Sequence, residues 1–510
     1  MLLTEFMREM RNAGQASRTC YCAIAMLLAV TLVCPVANAA PWLNVGDRGL
    51  RSDVELLASH GLITGLVTTW PIPAGQLEPL LDRDVLAEQT THVRRAAARV
   101  LDLIGYPQSS AIRPVLDVRL AESVNLVRGF GQLARSEVDV RAGADWQNNH
   151  FAVTLRAGVQ SERDGEQRAE SLDGTYLNAL WGNLQFYGGW ADQWYGPGWN
   201  SSLILSNNAR PFPKIGLMRN NPEAFESRWL RWMGPVQINF FVGLLDGPRI
   251  DSNTLISALR FAMSPVENLE FVITRMAQFC GANHPCRPVN VAFSFSNDDE
   301  NPNDPNEQST VEFKYHGRAG ALSISPYAQL MNEDTGPFAH STTSYLGGVS
   351  LAAPWGERGT HWRVTAEYAD SVSTRNWFSF GKREYGIAYN NFGYTDGARY
   401  RDRTLGFSLD SDSKLFSMGA LLVDARGWQY RLAYHNVRIS TPQLALMQAN
   451  TGFVRNVVSA EPVQYDQVEA GLSVPWRRWS FGLSLRAQDD QIQPGQGSDV
   501  SLEGGFSYSY

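Results

Sequence analysis

The sequence has little cysteine, little histidine and no excess of positive charge. Its 510 residues include 5 Cys and 8 His, which leave little material for a metal cluster, so we expect no bound metal. The net charge is −7, and no overall basic field points to a nucleic-acid partner. Hydrophobic residues make up 44% and charged residues 19%, which is too apolar for a disordered chain. The composition therefore predicts a folded protein whose function depends on neither metal nor nucleic acid.

Long apolar runs and catalytic motifs are also missing. After residue 39, no stretch of about 18 consecutive apolar residues occurs, which excludes a bundle of membrane-spanning helices. The sequence contains no Gly-x-Ser-x-Gly elbow, no His-Glu-x-x-His pair and no phosphate-binding glycine loop. We therefore expect a protein that is not an enzyme and needs no cofactor.

The chain begins with the features of a secretory signal peptide, predicted over residues 1–39. Arg8, Arg11 and Arg18 precede an apolar run, and residues 37–39, Ala-Asn-Ala, give the small-x-small pattern that signal peptidase cleaves. The alternative is a short membrane anchor, but the run is shorter than a spanning helix needs. An exported mature chain is the prediction.

Two cysteines remain after cleavage of this segment, Cys280 and Cys286. In an exported chain, two cysteines this close predict one small disulfide loop. His284 lies between them, but these three side chains are fewer ligands than a zinc site needs.

Residues 40–110 are predicted to form a small helical subdomain. Ser52 and Glu55 have the spacing of a capping box at the start of a helix. The segment 88–104 carries an apolar stripe at helical spacing, and Gly105 follows it as a stop signal.

From residue 111 to residue 510, the apolar period changes from 3.6 to 2. Val364, Ala366 and Tyr368, for example, alternate with polar neighbours. A soluble sandwich also alternates, but aromatic residues toward strand ends and a final strand that ends in Tyr510 favour a membrane barrel. About 400 residues at about 22 per strand and connection give about 18 strands. The predicted fold is an all-β transmembrane β-barrel of about 18 antiparallel strands, preceded by the helical subdomain.

One connection, 297–307, is dense in Asn, Asp and Glu. Such oxygen-rich segments can hold calcium. The alternative is a solvated loop, which we favour because its prolines and its missing turn glycine argue against an EF-hand.

The stretch 176–231 is unusually rich in Trp, Tyr, Gly and Pro. Aromatic rings offer apolar faces on which sugar rings stack, while Asn and Arg donate hydrogen bonds to hydroxyls and carboxylates. The alternative is an aromatic girdle with a tight turn packed in the barrel. The candidate glycan-binding residues are Trp190, Trp194, Tyr195, Trp199, Asn207, Asn208 and Arg210.

Several runs of the sequence point to a known family: residues 190–198, Trp-Ala-Asp-Gln-Trp-Tyr-Gly-Pro-Gly, 205–211, Leu-Ser-Asn-Asn-Ala-Arg-Pro, and the earlier runs 47–53 and 70–73. On these runs, the chain resembles the Wzi family of outer-membrane capsule-assembly proteins. The resemblance implies an 18-stranded barrel in the cell outer membrane with a helical bundle on its periplasmic side. It implies a non-catalytic, lectin-like protein that helps attach or assemble capsular or other surface polysaccharide. Its implied partners are that polysaccharide, outer-membrane lipid and the polysaccharide export machinery.

Two other functions fit the same sequence. A sugar-selective porin would use the same polar interior and aromatic track, but its lumen must be open. The long connections, such as 297–308 and 440–462, favour a blocked lumen and therefore the polysaccharide-binding protein. An outer-membrane enzyme acting on lipid or glycan is the third hypothesis, and no motif demands it.

Overall fold

The structure is a computed structural model, and it describes most of the chain after residue 41. The predicted signal peptide, most of the acidic connection 297–307 and Tyr510 lie outside the described residues. The described residues are 42–104, 111–148, 150–161, 170–282, 284–286, 305–333, 342–375, 377, 381–452, 454–489 and 500–509.

Eighteen antiparallel strands of the described chain pair edge to edge and close into one barrel, which confirms the predicted fold class. The last strand pairs with the first, with Ser507 opposite Asp117, so this sheet has no free edge. The strands are β1 (Arg113–Ala121), β2 (Val138–Gln147), β3 (Phe151–Gln160), β4 (Tyr176–Trp181), β5 (Leu184–Gly189), β6 (Lys214–Arg219), β7 (Val236–Leu245), β8 (Thr254–Val266), β9 (Leu269–Phe279), β10 (Asn306–Tyr315), β11 (Leu322–Glu333), β12 (Thr343–Trp355), β13 (Thr360–Thr374), β14 (Lys414–Val423), β15 (Gln429–Ile439), β16 (Val463–Trp476), β17 (Trp479–Gln488) and β18 (Val500–Ser509).

The connections make the two ends of the barrel different. Turns such as 182–183, 267–268 and 477–478 lie at one end, together with the start of β1 and the end of β18, and we call it the short-turn end. The opposite end, which we call the long-loop end, carries among others the connections 122–137, 190–213, 246–253, 375–413 and 440–462.

The strands turn an apolar face outward. On β17, Phe481, Leu483 and Leu485 point outward and are exposed, while Arg486 points inward and is buried. This alternation follows from the period-2 geometry of a strand. Exposed tryptophans mark the short-turn ends of several strands, so the outer face has an aromatic border there, at Trp181, Trp355 and Trp476.

Residues 42–104 form a helical head. Its helices are α1 (Arg48–Ser59), α2 (Arg83–Ala87) and α3 (Thr91–Ile104), with a 3₁₀ helix over Ala74–Leu81. A further helix, α4 (Pro442–Thr451), lies in a connection at the long-loop end. Within the described ranges, no helix combines the length and apolar character needed to cross a membrane.

Helix α1 begins earlier than the capping-box spacing indicates. Its N-cap is Asp47, whose side chain accepts a hydrogen bond from the Leu50 N–H at 3.0 Å. Ser52 lies inside the helix, and its Oγ is 2.9 Å from Nε2 of His361 on β13. The spacing of Ser52 and Glu55 therefore places both on a helix face that contacts the barrel wall, because residues three apart share a face.

The head fills the lumen at the short-turn end. The buried carboxylate of Glu55 lies 2.5 Å from Nζ of Lys314 on β10 and 3.1 Å from Nη1 of Arg363 on β13. Ser59 and Ser323 join their hydroxyls at 2.8 Å. The head is thus packed inside the barrel, and its place on the periplasmic side stays a prediction.

The lumen is not filled evenly. Inward residues of β10 and β11, such as Glu312 and Gln329, are buried, whereas Gly471, Gly482 and Ser484 on β16 and β17 remain in contact with water. A Cβ added at Gly482 would meet no atom within 4 Å. We call this water-accessible strip along the inner face of β16–β18 the side gap.

The connection 122–137 closes the side gap toward the long-loop end. The Ser123 hydroxyl donates to the Ser501 hydroxyl at 2.9 Å, and the Ala134 N–H donates to the Glu503 carboxylate at 2.7 Å. Both acceptors lie on β18. Arg486 on β17 also donates to the Ser123 carbonyl at 3.3 Å, and Asn125 in the connection donates to Glu469 on β16. Hydrogen bonds to three neighbouring strands therefore hold the closure.

Candidate functional site

The connection 190–213 turns inward after β5 and runs through the barrel. Trp194–Tyr195 pair as a short strand with Thr69–Trp70 of the helical head. Further along, the Ser206 N–H donates to the Leu405 carbonyl at 2.7 Å, within the connection 375–413. The aromatic stretch singled out by its sequence therefore joins the head to the long loops in the centre of the lumen.

Three of the four candidate aromatic residues are buried there. Trp194 and Tyr195 have no exposed surface, Trp199 retains 4%, and Trp190 is half-buried beyond the end of β5. The Trp194 ring packs edge-on against Phe130, with 5.7 Å between the ring centroids. None of the three buried rings presents a face to a sugar in this arrangement.

The three polar candidates make hydrogen bonds within the protein. Asn207 Nδ2 donates to a carbonyl of the connection 122–137 at 3.2 Å, and Asn208 Nδ2 donates to the Thr404 carbonyl at 3.0 Å. The Arg210 guanidinium contacts both carboxylate oxygens of Asp173 at 3.2 Å. These contacts hold several connections together, and direct contact of these residues with glycan stays a prediction.

Arg51 of α1 lies at the centre of the lumen and contacts the connection 190–213. Its guanidinium donates to the carbonyls of Pro197 and Gly198, both at 2.7 Å, and to the Glu55 carboxylate at 3.0 Å. It also lies 4.6 Å from the centroid of the Trp199 ring. A fully buried guanidinium is stable only when its donors are satisfied, so this arrangement fixes the tight turn between Tyr195 and Trp199.

The barrel wall holds the same turn from the other side. The Glu367 carboxylate on β13 accepts the Trp199 N–H at 2.6 Å and the Tyr327 hydroxyl at 2.9 Å. Gly198 is required within the turn, because a Cβ there would lie 2.2 Å from the Ser201 carbonyl. The turn is therefore a rigid element of the interior.

Little space remains between the inward loops. Two cavities beside Asp192 have volumes of about 10 Å³ each, room for about one water molecule. Gln193 and Arg210 line one of them, and Arg135 and Asn207 line the other. Neither cavity accommodates a sugar ring.

A second candidate site lies on the exposed part of the long-loop end, and we call it the mouth surface. Ile250 and Phe392 leave 62% and 68% of their surface exposed, although both are apolar. Exposed apolar side chains beside charged ones are typical of binding sites. The mouth surface consists of Arg249, Ile250, Phe392, Asp396 and Arg455.

Asp396 joins the parts of the mouth surface. Its Oδ2 accepts the Ile250 N–H at 2.8 Å, and it lies 3.9 Å from Arg249 and 3.6 Å from Arg455. Burial lowers the pKa of Arg249, although the Asp396 charge raises it. Nε of both arginines and Nη2 of Arg249 are buried and have no hydrogen-bond partner in the part of the chain that the structure describes. The Arg249 side chain is 3% exposed and that of Arg455 is 27% exposed, so the surface combines exposed apolar faces with one accessible guanidinium. This chemistry suits sugar rings and their hydroxyls.

The described residues hold no group of three or more His, Cys, Asp or Glu side chains arranged for a metal ion. Glu307, at the end of the acidic connection, forms an ion pair with Arg275. Cys280 and Cys286 form a disulfide.

The sequence reasoning missed Arg51 and the mouth surface. Arg51 lies within the run 47–53, but its helix also carries Asp53 and Glu55 and is buried throughout residues 49–59, so the sequence alone did not distinguish it. Arg249, Phe392 and Arg455 come from three distant connections, and no local pattern links them.

Comparison with known proteins agrees with this architecture. The family model described as capsule assembly protein Wzi matches residues 120–488. An uncharacterized 55.8 kDa protein in the cps region of Klebsiella pneumoniae is 25% identical over 416 residues, 78% of each chain. The structure of Wzi from Escherichia coli, described as an outer membrane protein involved in group 1 capsule assembly and as a carbohydrate-binding β-barrel, matches with a TM-score of 0.77 at 20% identity. It covers 92% of this chain and 100% of the other, and the two share a fold.

Proposed function

Because this chain belongs to the Wzi capsule assembly family, we propose that it binds capsular or other surface polysaccharide and helps to attach or assemble it on the cell surface. The observation that carries the proposal is the inward folding of the long loops. They fill the lumen at the long-loop end, so this end is a closed and rigid surface rather than the mouth of a wide pore.

The proposal places the apolar outer face in the outer membrane. Barrels of that membrane have short periplasmic turns and longer extracellular loops. The long-loop end then faces the cell exterior, and the helical head lies at the periplasmic end. Outer-membrane lipid surrounds the barrel, and contact with the export machinery remains a prediction from the family resemblance.

We assign the first sugar contacts to the mouth surface. Phe392 and Ile250 offer apolar faces, and Arg455 is a partly exposed donor beside them. A single such site binds a sugar weakly, but many copies of the barrel engage one polymer, and their contacts add through avidity. The buried aromatic stretch supports this surface from below by fixing the loops that carry it.

The test is the distribution of polysaccharide between cells and medium. Deletion of the gene should leave total polymer unchanged and move it into the medium. Phe392→Ala should cause part of that shift. Ile112→Ala is the matched control, since Ile112 is 69% exposed but lies next to β1 at the short-turn end.

The outcomes separate the function from the site. If deletion does not change the distribution, attachment is the wrong function. If deletion shifts the polymer but Phe392→Ala does not, the function stands and the mouth surface is not the contact. Immunodetection of folded barrel in the membrane checks that each variant is present.

A sugar-selective porin is the second candidate, and the side gap favours it. The gap offers a polar path along β16–β18 that is interrupted by the connection 122–137. Catalysis forms no part of our proposal. An enzyme acting on lipid or glycan would have to yield a new product when purified protein is mixed with envelope extract.

A further inference from the structure

The connection 220–235 differs from the other connections described at the short-turn end in its length and in its exposed tryptophans. It is much longer than the nearby turns 182–183 and 267–268. Its tip, residues 228–232, has the sequence Arg-Trp-Leu-Arg-Trp. Trp229 is 72% exposed and Trp232 is 61% exposed. Leaving two indole rings in water is unfavourable, so this tip is expected to have a partner.

The tip is held in place by its base. Arg219 Nη1 at the end of β6 donates to the carbonyls of Glu223 and Val236, both at 2.9 Å. Gly234 has a φ of 64°, and a Cβ there would lie 2.0 Å from the Ser264 carbonyl on β8. The connection therefore leaves the barrel in one direction, fixed by two neighbouring strands.

The hydrogen bonds within the tip present its side chains on a turn. The N–H groups of Leu230 and Arg231 both donate to the Ser227 carbonyl, at 3.0 and 2.9 Å. A 3₁₀ turn follows over Arg231–Met233, and Met233 points back and is buried. Trp229 and Trp232 are three residues apart, which is one turn of such a helix, so they share a side.

The tip also carries positive charge. Arg228 and Arg231 are exposed, and across the described ranges neither forms an ion pair with a carboxylate. The Arg228 guanidinium lies 4.7 Å from the centroid of the Trp229 ring. The five residues of the tip contain no acidic side chain. The tip therefore combines apolar rings with cations, which suits a surface that has hydrocarbon beneath negative charge.

The tip continues the aromatic border of the barrel. Trp181 at the end of β4 and Val266 at the end of β8 are exposed on the outer face on either side of the connection. Tryptophan concentrates where hydrocarbon meets headgroups, and arginine near a membrane surface is attracted to anionic lipid. The two residue types of the tip match the two layers that it would meet.

We infer that the tip 228–232 docks into the headgroup layer of the leaflet at the short-turn end and binds anionic phospholipid. Trp229 and Trp232 lie at the hydrocarbon boundary, and Arg228 and Arg231 contact lipid phosphates. This inference rests on the membrane placement of the barrel in the proposed function, and it adds a lipid contact that the barrel wall itself does not make.

The test uses an environment-sensitive NBD label in the mature barrel, reconstituted in phosphatidylethanolamine vesicles that contain phosphatidylglycerol. Cys280 and Cys286 are joined in the disulfide, so an introduced cysteine takes the label. Trp229→Cys places the label at the tip. Leu483→Cys on the outer face of β17 is the control for lipid contact, and Asp402→Cys at the long-loop end is the control for water contact.

The label at 229 should be quenched by nitroxide lipid, as at 483, and be several-fold less accessible to iodide than the label at 402. Replacing phosphatidylglycerol by neutral lipid should weaken the lipid quenching at 229. Arg228→Gln together with Arg231→Gln should remove this dependence on lipid charge.

Three results overturn the inference, and they differ from one another. If 483 meets lipid but 229 is as accessible to iodide as 402, the tip does not dock although the barrel is in the membrane. If neither 229 nor 483 meets lipid, the membrane placement fails, and the proposed function fails with it. If 229 is shielded only at high protein-to-lipid ratio, a second copy of the chain covers the tip instead of lipid.

Discussion

Arg51 and Trp199 meet at the centre of the barrel, with the Arg51 guanidinium 4.6 Å from the centroid of the Trp199 ring. Arg51 belongs to the head that enters from the short-turn end, and Trp199 belongs to a connection of the long-loop end. The helical head and the connection 190–213 are therefore joined by a cation–π contact between desolvated groups. The hydrogen bonds of Arg51 to neighbouring carbonyls strengthen this contact. A substitution that removes this contact should loosen the packing of the lumen at both ends of the barrel.

Arg51→Ala should destabilise the filled interior by about 3–5 kcal/mol, because it leaves two buried carbonyls without their donor and removes one of the three cations that contact the Glu55 carboxylate. The measurement is urea denaturation together with limited proteolysis of the connection 190–213. Arg94→Ala on the exposed face of α3 is the control and should change stability by no more than about 0.5 kcal/mol. Equal stability of the two variants would contradict the structural role of Arg51.

Trp194→Ala should also destabilise the protein by about 3–5 kcal/mol, since it empties a fully buried site next to Phe130. Any loss of polysaccharide retention should accompany this loosening. Phe392→Ala should change stability by no more than about 0.5 kcal/mol while it lowers retention. Lost retention in a Trp194→Ala protein of normal stability would instead show direct sugar contact by Trp194, as the sequence predicts.

The loops at the long-loop end should become less stable as the pH rises from about 4 to about 6. Asp412 is buried and accepts hydrogen bonds from the Gly386 N–H at 3.0 Å and the Thr441 hydroxyl at 3.1 Å. Burial nevertheless raises its pKa from the ordinary 3.8 to about 6. A carboxyl with a raised pKa in the folded state favours folding at low pH, and this contribution is lost between about pH 4 and pH 6. The rise corresponds to about 3 kcal/mol.

Asp412→Asn should reduce this dependence on pH relative to the wild type. The measurement is thermal denaturation at several pH values from 4 to 7.5, followed by near-ultraviolet circular dichroism. Asp402→Asn is the control, because Asp402 is exposed in the same connection. A wild-type protein whose stability does not fall over this range would contradict the assignment to Asp412.

The wild-type barrel should show no steady steps of single-channel current in a planar bilayer, because the inward loops fill the lumen at the long-loop end. Replacing residues 126–134 by a short Gly-Ser linker should open the side gap and produce steps. Replacing α4, which lies in another connection of the long-loop end, should leave the barrel silent. Steady steps in the wild type would favour the porin hypothesis over the polysaccharide-binding protein.

The sequence by itself determined the class of fold. Successive residues of a strand point to opposite sides of the sheet, so the period of 2 from residue 111 onward predicts which side chains face outward and which face inward. Exposed Phe481 and buried Arg486 show this alternation. Closure leaves no unpaired strand edge in lipid, and the count of about 18 strands followed from chain length. The family likewise followed from local runs, such as the one around Pro197.

Only the tertiary structure decided which residues are available to a ligand. Trp194 and Phe392 are both aromatic residues in long connections, and nothing in their local sequence distinguishes a ring at 0% exposure from one at 68%. Their difference arises because the connection 190–213 turns into the lumen and pairs with Thr69–Trp70. Such contacts join residues far apart in the chain, and their energy depends on packing that no short window of sequence contains.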